Sequence, residues 1–345
     1  MREFVLTAPR QLELRDYSEP ALNPTDVRVR AIVSGIKHGT EMTIYRGKTP
    51  FIEKQFDPDY RMFMPRAEGS FFPLTLGSWM VGEVIEIGSA VTRFKVGDKV
   101  HGAMPHRPTN VRPETALYKL AAGMPAETAL FTDPAIFALG AVHDAEIKVG
   151  DRVAVFGMGA IGLIAIQIAR LSGAESVFAV DAINNRLEMA TRFGADEVFN
   201  PTRCDPALEI KKLTKTKGVD VAIDISGAYA ALHTAIRSIQ QCGLVVSASY
   251  YSGTPQLELG AEWHHNRPTF RSSMPVWGNP HRCHPLWDFE RTEATALGLL
   301  ERGKLTVEPM IGARYPYTQA REAYRMIDEH PEATLKTLLD YTDIQ

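Results

Sequence analysis

Cysteine is scarce in this sequence of 345 residues, and its scarcity excludes whole classes of protein. Cys204, Cys242 and Cys283 lie far apart and share no motif. Their spacing predicts neither a disulfide framework nor a cysteine zinc knuckle. We therefore expect a reduced protein of the cytoplasm.

Long apolar runs and an excess of one charge are also lacking. No segment is long and apolar enough to cross a bilayer, and the N-terminal "MREFVLTAPRQLELRD" lacks the apolar core of a signal peptide. The net charge of -3 gives no general attraction to nucleic acid or to an anionic membrane. We expect neither as a partner, and the chain length suggests two ordinary domains.

Turn-rich β sequence fills about the first 140 residues. Short runs such as "DVRVRAIV" and "MVGEVIEIG" are separated there by Gly, Pro and Asp. From Val153 onward, apolar strands alternate with helices. The alternating segments are "RVAVFG", "AIGLIAIQIARLSG", "ESVFAVD", "NRLEMATRFG", "DEVF", "VDVAIDIS", "YAALHTAIRSIQQCG" and "LVVSASY". This alternation predicts a parallel, doubly wound sheet with right-handed crossovers.

The α/β region interrupts a β-rich domain, because one more helix, "DFERTEATALGLLERG", and mixed structure follow it. We expect the fold class α/β. The expected domain bounds are 1–145 for the first β-rich part, 146–285 for the nucleotide-binding part and 286–345 for the last part. The long aromatic segment 49–72 is either a lid over a pocket or a packed surface excursion.

The segment "VFGMGAIG" carries glycines in G-x-G-x-x-G spacing, at Gly157, Gly159 and Gly162. It follows a strand and opens a helix within a βαβ unit, which is the context in which this pattern indicates a dinucleotide. The three glycines permit, in order, a tight turn, the approach of the backbone to a pyrophosphate, and close packing of helix and strand. The helix N-terminus, with Ala160 and Ile161, supplies amide donors and a partial positive charge.

Asp181 ends the second strand of this unit, 19 positions after Gly162 (181 − 162). An acid at about this distance binds the adenosine ribose in dinucleotide sites. A carboxylate there accepts hydrogen bonds from both ribose hydroxyls and repels a 2′-phosphate, so it favours NAD over NADP. We add Arg186 to the predicted cofactor site. The alternative is a helix-start turn with no ligand.

A cluster of polar residues follows the strand-like run "VRVRAIV". The stretch "SGIKHGTEMTIYRG", residues 34–47, places Lys37, His38, Thr40 and Glu41 within five positions. Such a cluster at the mouth of a buried strand is a metal site, an acid–base relay or a turn, and the residues alone leave all three open.

This layout resembles the medium-chain dehydrogenase/reductase superfamily, of the zinc alcohol, sorbitol and threonine dehydrogenase type, over nearly the whole chain. The segments that carry the resemblance are "GTEMTIYRG", "LGSWMVGEVIEIG" with "FKVGDKV", "TDPAIFALGAVHDA" and "EWHHNRPTFRSS". It implies a GroES-like β domain that holds the substrate and is interrupted by a Rossmann domain. It also implies a homodimer or homotetramer, paired through strands near "FRSSMPVWG".

The zinc ligands of that family are replaced in this chain. In an alignment on "YRG", the family's cysteine, histidine, glutamate and third-ligand positions fall on His38, Ser78, Trp79 and Asp133. The family's four-cysteine structural lobe is missing, and "AMPHRPTNVRPETA" stands in its place. Tetrahedral catalytic zinc needs three protein donors, and serine and tryptophan are not good ones. We therefore expect no catalytic or structural zinc.

Without zinc, a cation and a base must together remove the hydroxyl proton and stabilise the alkoxide. Lys37 or His38 is placed to bond the substrate oxygen, and Asp133 to orient that cation. Thr40 aligns with the hydroxyl residue that relays the proton in zinc-dependent relatives, and Glu41 aligns with a structural acid. Each of the turn residues also has a purely structural interpretation, as a solvated strand end, a turn histidine or a turn cap.

Other polar residues are assigned to the substrate site by position. They are Ser78, Trp79, His264, His265 and Asn266. The last three precede a strand at the carboxyl edge of the predicted sheet, where such folds bind ligands, or else they mark a strand start with solvated side chains.

A second group of ligand-like residues lies in "MPVWGNPHRCHPLW", a loop that suits an interdomain cleft or a subunit contact. His281, Cys283 and His284 resemble metal ligands but lack a compact spacing. We expect His143 to be a core or capping histidine.

These features predict an NAD-dependent dehydrogenase that oxidises a secondary hydroxyl of a sugar or polyol without zinc; the substrate class is implied by the resemblance. One alternative is a metal-dependent dehydrogenase that uses His38, Asp133 and a further donor. Another is a zinc-free quinone or enoyl reductase, against which Asp181 argues because those relatives favour NADPH. The last is an NAD(H)-binding sensor without catalysis.

Overall fold

Two compact units make up the chain in the computed structural model, which describes residues 1–66, 69–251, 253, 257–274 and 279–344. Unit 1 comprises Met1–Leu130 and Ile311–Gln345, and unit 2 comprises Phe131–Met310. Unit 2 therefore interrupts unit 1 in the sequence. Within the described ranges, no helix has the length and apolar character that crossing a membrane requires.

Short strands dominate unit 1, and strands that alternate with helices build unit 2. The strands are, in chain order, β1 (Arg2–Ala8), β2 (Gln11–Asp16), β3 (Asp26–Gly35), β4 (Lys54–Asp57), β5 (Met62–Pro65), β6 (Leu74–Thr75), β7 (Trp79–Ile87), β8 (Lys99–Ala103), β9 (Thr109–Pro113), β10 (Tyr118–Lys119), β11 (Arg152–Phe156), β12 (Ser176–Val180), β13 (Glu197–Phe199), β14 (Val219–Asp224), β15 (Ile239–Ser247), β16 (Thr269–Ser272), β17 (Ile311–Pro316) and β18 (Lys336–Asp340). The helices are α1 (Thr40–Tyr45), α2 (Ala126–Ala129), α3 (Thr132–Asp144), α4 (Ala160–Leu171), α5 (Asn184–Arg192), α6 (Pro206–Leu213), α7 (Tyr229–Ser238), α8 (Glu262–Asn266), α9 (Phe289–Glu301) and α10 (Ala320–Glu329).

The main sheet of unit 1 has the strand order β10-β8-β7-β3-β18-β17, and β9 also pairs with β3. Valines at alternate positions of β3, Val27 and Val29, point into the core, as the two-residue period of a strand requires. β3 runs antiparallel to both β7 and β18, so that Gly35 lies opposite Trp79 on one side and Leu338 on the other. The carboxyl end of β3 therefore meets the beginnings of β7 and β18.

The segment 49–72 forms a hairpin in which β4 pairs antiparallel with β5. Tyr60, Met62 and Met64 on this hairpin are exposed. Ala67 and Glu68 of the segment lie outside the described residues. The role of the hairpin as a lid stays a prediction.

The sheet of unit 2 confirms the predicted fold class. Its order is β13-β12-β11-β14-β15-β16, and every neighbouring pair is parallel. Successive strands are added towards one edge of the sheet from β11 to β13 and towards the other edge from β14 to β16, so the strand order reverses between β11 and β14. The crevice at the carboxyl ends of these two strands is where open parallel sheets bind their ligands.

Parts of the predicted element map of unit 2 are corrected by the structure. The predicted helix "YAALHTAIRSIQQCG" ends before Ile239, where β15 begins, because Ile239 is buried and pairs with β14. The sequence prediction missed α6, whose cap residue Asp205 accepts hydrogen bonds from the Ala207 and Leu208 amides. Residues 262–266, expected to begin a strand, form α8, and β16 begins only at Thr269.

The compact units divide the chain at 130/131 and 310/311, and the expected domain bounds at 145/146 and 285/286 stay a prediction. Most residues of α3 are buried, and α3 packs against both α4 and α9. Because these three helices pack together, α3 and α9 belong to the unit that holds the parallel sheet.

Candidate active site

The polar turn noted in the sequence connects β3 to α1 in unit 1. The Ile36 N–H donates to the carbonyl oxygen of Thr337 over 3.0 Å, which ties the turn to the beginning of β18. Lys37 and His38 are half-buried, and Thr40, the first residue of α1, is exposed. The structure therefore brings three of the predicted catalytic residues together on one turn.

The imidazole of His38 has a defined orientation. The Thr337 N–H donates to Nε2 of His38 over 3.2 Å, and the Thr337 hydroxyl lies 3.2 Å from the same nitrogen. Since Nε2 accepts the amide hydrogen bond, the proton of the neutral ring is on Nδ1. His38 can therefore donate a hydrogen bond from Nδ1, whereas its accepting lone pair is already used.

Glu41 lies beneath this turn, and the residue as a whole is only 3% exposed. It accepts hydrogen bonds from the Lys37 N–H (2.8 Å) and the Tyr324 hydroxyl (2.5 Å), and it lies 3.1 Å from Nε2 of His106. Burial alone would raise the pKa of Glu41, but the attraction of His106 and these hydrogen bonds hold that pKa below its usual value. Glu41 is therefore an ionised anchor for the turn.

Ser78 and Trp79 stand at the beginning of β7, next to the carboxyl end of β3. The Trp79 indole is 5% exposed, and its Nε1–H donates to Nδ1 of His101 over 3.1 Å. It also stacks on Tyr118, with ring centroids 6.5 Å apart. Burial lowers the pKa of His101 to about 4, so this partner of Trp79 is neutral. Ser78 is half-buried, and the substrate-lining role of both residues stays a prediction.

Lys336 and Thr337, at the beginning of β18, are neighbours of the turn that sequence reasoning missed. Lys336 is only 3% exposed. A Cβ added to Gly35 would lie 2.6 Å from Lys336 Cε and 2.9 Å from its Nζ, so this ammonium group lies directly beside the end of β3. The only local signal was the strand-like run "LKTLLD", which does not reveal its antiparallel partner.

A zinc ion of the family type does not fit the residues at the aligned ligand positions. Trp79 packs inside unit 1 against His101, and Ser78 offers a hydroxyl only. Asp133 lies in the first turn of α3, in unit 2. A search of the described ranges finds no group of three or more His, Cys, Asp or Glu side chains arranged to hold a metal ion. The donor set therefore differs from that of a tetrahedral zinc site.

The glycine-rich turn after β11 has the geometry of a pyrophosphate cradle. Gly157 has a φ of 92°, which favours glycine, and its N–H donates to the Val180 carbonyl over 2.8 Å. A Cβ added to Gly162 would lie 1.9 Å from the Gly157 carbonyl oxygen, so helix and turn touch at this point. A Cβ added to Gly159 would meet no atom within 4 Å, so the space above the helix is open.

The first turn of α4 faces that open space with its amides. Ala160 and Ile161 are the first two residues of α4, where backbone N–H groups lack partners within the helix. These donors and the helix dipole suit a doubly charged pyrophosphate. The residues present therefore fit a dinucleotide.

Asp181 follows β12 and lies next to the glycine-rich turn. Its carboxylate accepts hydrogen bonds from the Met158 N–H (2.7 Å) and the Ile183 N–H (2.8 Å). Nη1 of Arg186 lies 3.9 Å from the same carboxylate. Each carboxylate oxygen has further lone pairs, so hydroxyl donors can still bind. The position of the Asp181 carboxylate fits a ribose, and Arg186 lies beside this carboxylate.

Asp224, at the carboxyl end of β14, is a buried acid that the sequence analysis did not assign. It accepts hydrogen bonds from the Ser226 N–H (3.0 Å), the Ser226 hydroxyl (2.7 Å) and the Tyr251 hydroxyl. Burial nevertheless raises the pKa of Asp224. A Cβ added to Gly157 would lie 2.7 Å from Ser226 Cα. Asp224 therefore orders the loop that packs on the glycine-rich turn.

The remaining predicted substrate residues lie on α8 of unit 2. His264 and His265 are exposed and Asn266 is half-buried. Their substrate-lining role stays a prediction. In the segment "FRSSMPVWG", assigned to subunit pairing, residues 275–278 lie outside the described residues.

His143 and His281, widely separated in sequence, meet in unit 2. His143 Nδ1 lies 3.1 Å from His281 Nε2, and both rings contact Trp287. A cavity of about 190 Å³ opens beside them, and Cys283 also lines it. Burial, with the nearby His281, lowers the pKa of His143 to about 4. His143 is therefore paired with His281, and its expected role as a core or capping histidine stays a prediction.

Two family models match the chain, one in the β-rich region and one in the region of alternating strands and helices. The alcohol dehydrogenase GroES-like domain matches residues 23–140, and the zinc-binding dehydrogenase domain matches residues 160–290. These matches confirm the expected combination of a GroES-like domain with a Rossmann-like one.

Proteins of similar sequence are dehydrogenases. The D-guloside 3-dehydrogenase of Escherichia coli (strain K12) is 37% identical over 346 residues, which cover 97% of this chain and 99% of that protein. An alcohol dehydrogenase of Cupriavidus necator is 30% identical and covers 76% of this chain and 80% of its own length. Galactitol-1-phosphate dehydrogenase from Escherichia coli has a similar structure, with a TM-score of 0.79 at 21% identity over 99% of this chain and 100% of that one. This structural similarity shows the fold.

Proposed function

This chain belongs to the medium-chain dehydrogenase/reductase superfamily, and we propose that it oxidises a secondary hydroxyl of a sugar or polyol with NAD⁺ and without catalytic zinc. The observation that carries the proposal is the 37% identity, over 97% of this chain, to a D-guloside 3-dehydrogenase. The polar turn at 37–40 supports it, because a hydroxylated substrate needs hydrogen-bonding groups at the reacting oxygen.

Oxidation of a secondary alcohol removes a hydride from carbon and a proton from oxygen, and leaves a ketone. NAD⁺, when bound, supplies the hydride acceptor. We assign the oxygen to the turn, where Nδ1–H of His38 donates to it and stabilises the developing alkoxide. The side chain of the neighbouring Lys37 bonds the same oxygen, and the hydroxyl proton leaves through the Thr40 hydroxyl to solvent.

Thr40 completes the proposed proton path. Thr40 is exposed at the start of α1, where its hydroxyl can exchange a proton with solvent. The role that the alignment suggests for Asp133, which lies in unit 2, stays a prediction. Neither role depends on a metal.

NAD⁺ is the proposed cofactor in preference to NADP⁺. Asp181 is ordered by two backbone amides beside the glycine-rich turn. A carboxylate at this position accepts the ribose hydroxyls and repels a 2′-phosphate. The guanidinium of the neighbouring Arg186 can bind a 2′-phosphate, so the preference for NAD⁺ over NADP⁺ is tested directly below.

The test is NADH formation with D-gulosides, other hexosides and free polyols, each with NAD⁺ and with NADP⁺. We expect turnover of at least one of these compounds, with kcat/KM for NADP⁺ at least about 10-fold lower. Lys37→Ala should lower kcat about 100-fold, whereas Lys48→Ala, which changes an exposed lysine beyond α1, should not. Cofactor binding without any turnover would favour a sensor, and reduction of an activated alkene by NADPH would favour a reductase.

We also propose that the protein is a homodimer or homotetramer, as the family resemblance implies. Light scattering of the purified protein measures the mass directly. A mass equal to that of one chain over a wide range of concentrations would contradict this proposal.

A further inference from the structure

A buried polar network lies under the turn in unit 1, and its centre is His106. The imidazole is 4% exposed and the Glu41 side chain 5%. Nε2 of His106 lies 3.1 Å from Glu41 Oε2, and Nδ1 lies 2.7 Å from the Ser34 hydroxyl. Ser34 in turn lies 2.9 Å from the Tyr341 hydroxyl. The imidazole therefore joins β3, α1 and the C-terminal segment.

The direction of the central hydrogen bond is fixed by charge. An ionised carboxylate can only accept, so Nε2–H of His106 donates to Glu41. The same carboxylate accepts from the Tyr324 hydroxyl and, through its other oxygen, from the Lys37 N–H. Three donors therefore hold the Glu41 carboxylate in one orientation, and one of those donors is the backbone of the turn.

The position of His106 is itself fixed by its backbone. The His106 N–H donates to the Leu76 carbonyl over 2.9 Å, and the His106 carbonyl accepts from the Tyr317 hydroxyl over 3.1 Å. The imidazole thus projects from a pinned loop. Its contact with Glu41 can transmit that fixed position to the turn.

We propose that His106 is a positioning residue, which holds the Lys37–Thr40 turn in place through Glu41. This inference rests on the proposed function of that turn. Without the Nε2–H donor, the Glu41 carboxylate keeps only the Tyr324 and Lys37 donors and can rotate. The Lys37 amide then loses its fixed acceptor, and the side chains of the turn lose their alignment with the substrate oxygen.

The experiment compares two substitutions of His106 with a control. His106→Leu removes both ring nitrogens, whereas His106→Gln keeps an N–H donor close to the position of Nε2. Val84→Ala opens a cavity in the same hydrophobic core without touching the network, and it controls for a general loss of stability. Hydrogen exchange of the Lys37 amide, resolved by fragmenting the peptide 34–45 in the mass spectrometer, reports on the turn without any substrate.

We expect faster exchange of the Lys37 amide in His106→Leu, by at least about 10-fold, and near-normal exchange in His106→Gln and Val84→Ala. We expect kcat to fall about 10-fold or more in His106→Leu while KM for NAD⁺ stays within about twofold, because the cofactor loop lies in the other unit. His106→Gln should recover most of the lost rate.

Unchanged exchange at Lys37 in His106→Leu would overturn the proposal. So would an equal loss of kcat in Val84→Ala at a similar Tm, because the effect would then be one of stability alone. If the wild-type protein oxidises no alcohol, the proposed function fails, and the exchange measurement still decides whether His106 holds the turn. Faster exchange with an unchanged kcat would contradict the catalytic part of the inference.

Discussion

The backbone N–H of Thr337 donates a hydrogen bond of 3.2 Å to Nε2 of His38, and so joins β18 to the turn after β3. This bond orients the imidazole of His38, and we propose that the ring presents Nδ1–H to a substrate. The two residues are 299 positions apart in the chain. The proposed alkoxide-stabilising donor is therefore oriented by the C-terminal strand.

His38→Gln separates the structural role of His38 from its chemical role. The amide oxygen of glutamine can accept the Thr337 N–H in place of Nε2, but the donor at Nδ1 is lost. We expect a Tm within about 2 °C of the wild type and a loss of about 100-fold in kcat. Thermal unfolding and steady-state kinetics on the same preparation measure both. A kcat within twofold of the wild type would mean that His38 only supports the turn.

Two glycines of the cofactor loop provide a matched pair of substitutions. A Cβ at 159 meets open space, whereas a Cβ at 162 would lie 1.9 Å from a backbone oxygen. We expect Gly159→Ala to fold normally but to weaken NADH binding about 10-fold, because its methyl group fills the space of the pyrophosphate. Gly162→Ala should instead lower the free energy of unfolding by at least about 2 kcal/mol. Calorimetric titration measures NADH affinity, and denaturant unfolding measures stability. An unchanged NADH affinity in Gly159→Ala would mean that the pyrophosphate does not bind beside Gly159.

Substitution of Asp181 should change the cofactor preference. Asp181→Ser removes the charge that repels a 2′-phosphate and leaves Arg186, 3.9 Å from the carboxylate, able to approach that group. We expect the ratio of kcat/KM for NAD⁺ to that for NADP⁺ to fall about 100-fold. Asp196→Ser is the control, since Asp196 also accepts a backbone N–H, from Val177, but follows a different loop. An unchanged ratio in Asp181→Ser would contradict the assignment of the ribose site.

The sheet of unit 2 and its cofactor loop could be predicted because their signals are local. Apolar strands alternate with helices, and the three glycines and Asp181 lie within 25 residues of one another (181 − 157 + 1). Ile239 shows the limit of such patterns, because its burial in the sheet rather than its helical neighbours decides its conformation.

The surroundings of the candidate turn could not be predicted in the same way. Lys37, His38 and Thr40 are visible as a polar cluster, but their supports come from distant parts of the chain. His106 is 65 positions from Glu41 and Tyr324 is 283 positions from it. These contacts join α1 to α10 and to the loop between β8 and β9, and no periodicity in one sequence encodes which distant elements pack together.

The buried imidazole of His101 should make the protein sensitive to acid. Burial lowers the pKa of His101 from its ordinary value of 6.5 to about 4 in the folded protein, so the unfolded chain binds a proton that the native state does not. Stability is therefore lost as the pH falls from the unfolded value through the folded one. His101→Asn keeps an acceptor for Trp79 but does not titrate. Relative to this variant, the free energy of unfolding of the wild type should fall by about 2 kcal/mol between about pH 7.5 and pH 4.5. Urea unfolding at several pH values measures this difference, and a difference independent of pH would mean that folding does not lower the pKa of His101.

The most direct test of a zinc-independent dehydrogenase is kcat/KM for NAD⁺ reduction with a confirmed sugar or polyol, measured before and after prolonged dialysis against a chelator. The zinc content of the same samples is determined by elemental analysis. We predict an unchanged rate at less than about 0.1 zinc per chain, with Lys37 and His38 required in both samples. A rate that is abolished by the chelator and restored by Zn²⁺ would contradict the proposal and would return His38 and Asp133 to metal ligation.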